Sequence, residues 1–217
     1  MKIDRILLDI ETQRDLFLPG GSCYAKEAAP ALRNIYRLFQ WVRANRIPVL
    51  STVLRVRRQE RGPLAAVPHC VEGTDGERKI ARTILPRRVN LGLRNSTDLP
   101  GDIFRRYQQV IFEKRDTDLL AHARAERLIT ELPPATFVVC GAGVAKGIFQ
   151  AAVGLRTRGF GVIAASDALA GLGDDFAPMA RLRMEAKGVV FATTEEIVAP
   201  RPCLRARPFR KGHMVRR

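Results

Sequence analysis

The chain has 217 residues, 46% of them hydrophobic, and a formal net charge of +15 at pH 7. This length can bury one full hydrophobic core and favours one globular domain over two. No apolar run approaches the ~18 residues that a membrane span needs, and charged residues interrupt what would be the apolar region of a signal peptide; we therefore expect a soluble, cytoplasmic protein with no membrane partner.

Apolar runs alternate with amphipathic segments along the whole chain. Short apolar runs are typical of buried strands, and apolar residues three and four positions apart are typical of helices. Strands that alternate with helices predict an α/β fold, a three-layer α/β/α sandwich around a mostly parallel sheet. The predicted strands are RILLDI, IPVLSTV, QQVIFEK, TFVVCG, GVIAASDA and a short last strand in VVFATTEEIV, and the predicted helices are AAPALRNIYRLFQWVRANR, DLLAHARAERLITEL, GIFQAAVGLRTRG and DDFAPMARLRMEAKG.

Two segments do not fit this alternation. Residues 62–95 are irregular and rich in Gly, Pro and charge, which favours a functional excursion over a simple connection. The last 19 residues contain seven Arg or Lys residues, three prolines and no acid. This composition predicts a flexible basic tail over residues 199–217, after a domain over residues 1–198. The tail leaves nucleic acid open as a partner, against the alternative of a merely solvated basic surface.

Polar residues stand where the predicted strands end. Asp9 and Glu11 lie at the end of the first strand, Lys114 ends the third, a glycine-rich turn over residues 141–147 follows the fourth, and Asp167 lies at the end of the fifth. Ligands bind at the carboxyl ends of the strands in such sheets. Asp9 and Glu11 are two positions apart and would face the same side of an extended strand, so they need a cation nearby, and Lys114 is the candidate.

The stretch FVVCGAGVAKGIFQAA predicts a strand, a glycine-rich turn and the start of a helix, where backbone N–H groups are free to bind an anion. One interpretation is a dinucleotide site, with Asp167 twenty residues after Gly147 to bind a ribose. Its position after three strands and the bulky Lys146 within the turn disfavour that interpretation. The other interpretation is the nucleophile loop of a hydrolase.

Most of the chain resembles the isochorismatase-like cysteine hydrolases, especially their nicotinamidase-like branch. LLDIETQRDLFLPGGSCY is similar to the family opening, in which a strand leads into an acid-x-Gln-x-Asp-Phe signature, and IPVLSTV resembles the second strand. PHCVEGTDGERKI is similar to the lid segment, VIFEK to the lysine strand, and VVCGAGVAKGIFQAAVGLRTRGFGVIAASDALAGL to the nucleophile loop with the following helix and strand. The resemblance implies a Rossmann-like isochorismatase fold, hydrolysis of small amides or of a vinyl ether, and a homo-oligomer.

The amide hydrolases of this family use an Asp, Lys and Cys set, in which a thiolate attacks the substrate. By resemblance, Lys114 matches the family lysine, and Glu11 takes the place of the aspartate with one more methylene. Asp9 is an additional acid. The position of the nucleophilic cysteine falls on Gly147, counted from Gly141 forward or from Gly159 backward. Glycine has no side chain and cannot attack a carbonyl.

The resemblance also implies which residues contact a substrate: Val144 and Ala145 in the nucleophile loop, and His69 and Cys70 in the lid-like segment. Cys70 borders the expected pocket but has no identified base. Cys140 lies in a strand, seven residues before the nucleophile position, where a free thiol usually packs as a small hydrophobe.

No metal or cofactor is expected. The four cysteines have no CxxC spacing, so we expect reduced thiols and neither a zinc site nor a disulfide framework. Nicotinamidase-like relatives carry an Asp-x-His pattern after the second strand, and here the corresponding residues are Val53, Leu54 and Arg55. An arginine therefore stands where those relatives hold a divalent cation.

The sequence thus favours a family member without cysteine-dependent amidase activity that binds a small molecule or a partner in the family pocket. The alternative is an active hydrolase in which Glu11 or Asp9 assists attack by water. A second alternative is a nucleic-acid-associated protein that binds through its basic tail.

Overall fold

The computed structural model of the protein describes residues 3–94, 96–171 and 175–200. Its centre is a seven-stranded sheet in the order β3-β4-β2-β1-β5-β6-β7, and every adjacent pair of strands is parallel. The strands are β1 (Arg5–Ile10), β2 (Val49–Leu54), β3 (Arg88–Asn90), β4 (Gln109–Lys114), β5 (Thr136–Ala142), β6 (Gly161–Ala170) and β7 (Val190–Ala192).

Helices cover both faces of the sheet. Side chains of β1 alternate between two hydrophobic cores, with Leu7 in one and Ile6 and Leu8 in the other. The α-helices are α1 (Arg14–Phe17), α2 (Ala28–Asn45), α3 (Ile103–Arg106), α4 (Ala123–Glu131), α5 (Phe149–Thr157), α6 (Ala177–Ala186) and α7 (Thr194–Val198). The first core contains residues of α1, α2 and α7, and the second contains residues of α3, α4, α5 and α6. The predicted three-layer α/β/α sandwich is confirmed.

The longest helix, α2, follows directly from the spacing of its apolar residues. Leu32, Ile35, Phe39 and Val42 recur at helical intervals, and all are buried against the sheet. The helix ends where Arg46 adopts the left-handed conformation and its backbone N–H donates to the carbonyl of Val42. The chain then continues into β2.

Two strands differ from the sequence prediction. The edge strand β3 lies within the segment predicted to be irregular, because three residues with two exposed side chains give no periodic signal. Strand β6 extends two residues beyond the predicted apolar run. Asp167, predicted at the end of that strand, therefore lies inside it.

Most of the predicted basic tail, residues 201–217 with Cys203, lies outside the described residues, and so does the nucleic-acid interaction predicted for it. In the ranges that the structure does describe, no helix is both long enough and apolar enough to cross a membrane.

Candidate active site

A buried ion pair lies at the carboxyl edge of the sheet. Glu11 follows directly after β1, and Lys114 is the last residue of β4. The Lys114 ammonium donates to Glu11 Oε1 and to the backbone carbonyls of Asp116 at 2.8 Å and Thr117 at 2.9 Å. Only 3% of Glu11 and 4% of Lys114 are exposed. Because all three ammonium hydrogens have acceptors, the pair is held in one geometry.

The backbone turns sharply at Glu11. Its φ angle is 52°, in the left-handed region, and its N–H donates to Thr52 Oγ1 at 3.1 Å. Such a conformation costs about 1–3 kcal/mol for a residue with a side chain and is concentrated at functional sites. It also ends the strand alternation that would have aligned Glu11 with Asp9.

Asp9 consequently has a different cation. Its buried carboxylate accepts hydrogen bonds from Ser51 Oγ at 2.9 Å, from Thr12 Oγ1 and from the ammonium of Lys79. The expectation that Lys114 would neutralise both carboxylates is thus wrong for Asp9. Lys79 reaches the site because its backbone pairs with Gln13 in an antiparallel bridge. No motif or spacing in the sequence indicates that contact.

Gly141 lets strand β5 approach the end of β1. Its φ angle is 124°, and a Cβ atom there would lie 1.9 Å from the carbonyl oxygen of Ile10. Only glycine avoids that overlap. The register of β5 shifts at this point, and the chain then enters a π-helical turn, Val144–Ile148, before α5. Such turns are frequent at functional sites.

Gly147 lies in this turn and faces the ion pair. A Cβ atom on Gly147 would lie 3.4 Å from Glu11 Oε1, 3.3 Å from Ile10 Cγ2 and 3.2 Å from the carbonyl oxygen of Thr117. Its φ angle lies outside the left-handed region. A small side chain is therefore limited by the neighbouring atoms and not by the backbone. The position that the resemblance gives to the nucleophile borders the carboxylate without carrying a reactive group.

The described cysteines are not activated thiols. Cys70 and Cys140 are fully buried. Burial raises the pKa of Cys70, and the nearby carboxylates of Glu11 and Asp15 raise it further. Burial also raises the pKa of Cys140 well above its ordinary value. Cys23 is partly buried, and burial and Asp15 raise its pKa as well. Since the thiolate is the nucleophile, all three lie in environments that suppress reactivity.

Arg55 takes the place that the resemblance associates with a metal ion. Its guanidinium binds Glu113 through two hydrogen bonds, of 2.8 and 3.1 Å, and Glu77 through one of 2.6 Å. Burial raises the pKa of Glu113, but hydrogen bonds from Arg55 and Asn90 outweigh this effect and lower it overall. In the part of the chain that the structure describes, no group of three or more His, Cys, Asp or Glu side chains could hold a metal ion.

A cavity of about 330 Å³ adjoins Lys114. The sequence prediction did not include most of its lining, although Asp116, Asp118 and His122 follow Lys114 closely in the chain. Burial lowers the pKa of His122, which favours its neutral form. The lining residues are Leu93, Glu113, Lys114, Arg115, Asp116, Asp118, Ala121 and His122.

The four residues predicted to contact a substrate do not line this cavity. Val144 is buried and Ala145 partly buried in the π-helical turn. Cys70 is held by its N–H, which donates to Asp15 Oδ2 at 2.6 Å. His69 is partly buried, and its Nδ1 lies 2.7 Å from the carbonyl oxygen of Val67. Cys70 is near enough to Glu11 for the carboxylate to affect its pKa, so the lid-like segment does border the site.

Asp167 has a structural partner. Its Oδ1 accepts hydrogen bonds from the backbone N–H and the hydroxyl of Thr194, both at 2.8 Å. Its carboxylate therefore fixes the first turn of α7. This arrangement disfavours the dinucleotide interpretation of the glycine-rich turn.

Several proteins of known structure share this fold. Residues 94–196 match the family described as the Isochorismatase domain, whereas no curated protein matches the chain. A nicotinamidase/pyrazinamidase from Bacillus subtilis is similar in structure, with a TM-score of 0.67 and 18% identity over 87% of this chain and 99% of that one. An isochorismatase-like hydrolase from Alkaliphilus metalliredigens gives a TM-score of 0.69 and 17% identity, over 90% and 97% of the two chains.

A third solved structure, N-carbamoylsarcosine amidase from Thermoplasma acidophilum, has a TM-score of 0.61 and 16% identity over 88% of this chain and 97% of that one. At such identities the structures show a common fold. The family match is confined to residues 94–196, whereas the common fold extends over most of the chain.

Proposed function

We propose that this protein is an isochorismatase-like hydrolase relative without cysteine-dependent amidase activity, which binds a small molecule at the carboxyl edge of its sheet. The observation that carries the proposal is Gly147 next to Glu11, at the distance where a catalytic side chain would meet its base. The fold, the carboxylate and the lysine are retained, and the nucleophile is absent from its place.

The remaining thiols do not supply a substitute. Cys140 lies inside β5, and Cys70 is buried with its backbone tied to Asp15. Either thiol would need a base and a lowered pKa to react, and each has a raised pKa instead.

Retention of a binding site is supported by the Glu11–Lys114 pair and the cavity beside it. Burying two charges carries a desolvation penalty of several kcal/mol per ion. A fold without further use for this site would be as stable with apolar side chains in their place. The cavity of about 330 Å³ falls within the usual size range of small-molecule pockets.

The test is an assay of the full chain with nicotinamide, pyrazinamide and N-carbamoylsarcosine, with and without prior treatment with iodoacetamide. We expect no alkylation-sensitive turnover of any of these amides. The same compounds should be tested for binding by calorimetry with the wild type and Lys114→Met. Turnover that iodoacetamide abolishes would contradict the proposal and direct attention to Cys70.

A second candidate is an active hydrolase in which Glu11 assists attack by water. It is favoured by the same retained ion pair, since a positioned carboxylate is the group that a general base requires. This candidate predicts turnover that is insensitive to alkylation and lost in Glu11→Gln. The two candidates therefore give opposite results in one assay.

A homo-oligomer is also proposed. Helix α6 and the residue before it expose three large apolar side chains at intervals of three: Phe176 at 74%, Met179 at 52% and Leu182 at 60%. A stripe of this kind is typical of association surfaces. Light scattering should give a mass above that of one chain, and Met179→Glu with Leu182→Glu should lower it; a monomer at all concentrations would contradict the proposal.

A further inference from the structure

A cavity of about 600 Å³ lies at the opposite edge of the sheet from the candidate active site. Pro48 and Gln108 stand directly before strands β2 and β4, so they mark the amino ends of these parallel strands. The end of α2 and the helix α3 form the walls. The lining residues are Arg43, Arg46, Pro48, Arg87, Phe104, Arg105 and Gln108.

The lining carries four arginines and no carboxylate. Arg43 donates to the carbonyl of Arg82 at 2.7 Å, and Arg87 donates to the carbonyls of Arg105 and Arg106 at 2.8 and 3.1 Å. Carbonyls orient these guanidinium groups without neutralising them. The cavity wall therefore keeps most of its positive charge.

The other two arginines of the lining are Arg105 and Arg46. Arg105 lies 3.4 Å from Asp102, and both side chains are 70% exposed, so this pair contributes little. The Arg46 side chain makes no hydrogen bond or ion pair with any described residue, although its backbone is fixed in the left-handed conformation at the end of α2. Like charges facing one space repel, and an anion in that space would relieve the repulsion.

The floor of the cavity is rigid. The Gln108 amide donates to the carbonyls of Val42 at 2.8 Å and Ile47 at 3.1 Å, which ties the end of α2 to the start of β4. Arg43 and Arg46 are thereby held against a fixed frame. The Arg43 guanidinium, which the carbonyl of Arg82 also orients, therefore binds an anion with a smaller loss of side-chain entropy.

We propose that this cavity binds a diphosphate group, either free pyrophosphate or the diphosphate of a nucleotide. Guanidinium groups match phosphate oxygens in planar, two-point contacts. Four guanidinium groups carry more positive charge than one phosphate group of charge about −2 balances, and a diphosphate adds negative charge and a second, neighbouring set of oxygens. The volume suits a small molecule, and the ring of Phe104 at the wall offers a stacking surface for a base.

The test is calorimetry of the full chain with inorganic pyrophosphate and, separately, with ADP. Arg46→Gln removes no intramolecular bond seen in the structure, so its thermal stability should match the wild type. We expect it to weaken pyrophosphate binding about tenfold or more, as expected for a lost charge-assisted hydrogen bond. Arg183→Gln is the matched control, since this exposed arginine lies on α6, which contacts α5 and the π-helical turn and not the lining of this cavity, and it should leave binding unchanged.

The two ligands distinguish the source of the diphosphate. Tighter binding of ADP that Phe104→Leu abolishes would assign the site to a nucleotide, and equal affinities would assign it to the free anion. Absence of binding at millimolar pyrophosphate would overturn the proposal. Equal weakening in Arg46→Gln and Arg183→Gln would also overturn it in favour of diffuse attraction to a basic surface.

Discussion

Three residues define the candidate active site, and each reaches it differently. Glu11 turns into the site through a left-handed backbone conformation. Lys114 ends its strand there, and Gly147 is brought alongside by the close approach of β5 to β1. The absence of a side chain at one position thus decides the chemistry that the other two can support.

We predict that Gly147→Cys creates the most reactive cysteine of the described chain. The new thiol would lie next to the Glu11 carboxylate, which can accept its proton, and near the Lys114 ammonium bound to that carboxylate, which favours the thiolate. The variant should be made in a Cys203→Ser background, treated with iodoacetamide at neutral pH and analysed by peptide mass spectrometry. We expect labelling at position 147 well before Cys23, Cys70 or Cys140, whose pKa values are raised.

Gly147→Ser in the same background is the control, because it adds a similar volume without a thiol. The neighbouring atoms lie 3.2 to 3.4 Å from the added Cβ, so both variants require shifts of a few tenths of an ångström. Equal labelling of the Cys and Ser variants would show that position 147 does not have the environment described here.

A second residue-scale prediction concerns Lys79. Lys79→Met would leave the Asp9 carboxylate buried without its cation, and we expect a loss of about 3–5 kcal/mol in the free energy of unfolding. Urea denaturation measures this loss. The double variant Asp9→Asn with Lys79→Met should recover part of it, because the uncompensated charge is removed. Lys26→Met, at an exposed position, should change stability by less than about 0.5 kcal/mol.

At the scale of elements, ion pairs connect the segments around the site. Lys79 and Glu77 bring residues of the lid-like segment to β1 and to Arg55, and Arg55 connects that segment to β4 through Glu113. The Gln13 side chain donates a hydrogen bond to the carbonyl of Leu54, at the end of β2, and accepts one from the N–H of the same residue. These contacts are buried or partly buried, and they hold the segment against the sheet.

The Arg55–Glu113 connection should make stability depend on pH in a defined direction. The folded-state pKa of Glu113 is lowered, so the unfolded chain binds this proton more readily than the folded chain does. Its contribution to stability is present above the unfolded pKa of about 4.3 and is lost as the pH falls through the lower folded value. We expect the difference in unfolding free energy between wild type and Glu113→Gln to shrink as the pH is lowered from about 6 to 3.

Glu131→Gln, at an exposed ion pair with Arg127, provides the comparison for that pH series. Its difference from wild type should stay small throughout, because exposed pairs contribute about 0–1 kcal/mol. A Glu113→Gln difference that grows on acidification would contradict the assigned direction of the pKa shift.

At the scale of the whole molecule, the two edges of the sheet have different character. The carboxyl edge holds buried, mutually neutralised pairs, whereas the amino edge has a cavity lined by arginines. The net charge of +15 is thus unevenly placed.

Removal of the residues after Val198 should leave the thermal stability nearly unchanged. Ile197 is buried and Val198 packs against the first core. The sequence after Val198 has no apolar periodicity, and it contains Lys and Arg residues but no Asp or Glu. Differential scanning calorimetry of the shortened and full chains provides the comparison. A drop of many degrees would show that residues 199–217 belong to the folded domain.

The sequence by itself determined most of the alternating strands and helices and the parallel sheet, because local periodicity is readable along the chain, but not the short elements β3, α1, α3 and α7. Strand ends placed Glu11 and Lys114 at the carboxyl edge, and the family resemblance singled out Gly147. Only the tertiary structure decided that Lys114 pairs with Glu11 alone and that Lys79 pairs with Asp9. The Lys114–Glu11 and Lys79–Asp9 contacts join residues 103 and 70 positions apart. Their pairing depends on one left-handed residue and on where an irregular segment returns to the sheet, and neither leaves a periodic pattern in the sequence.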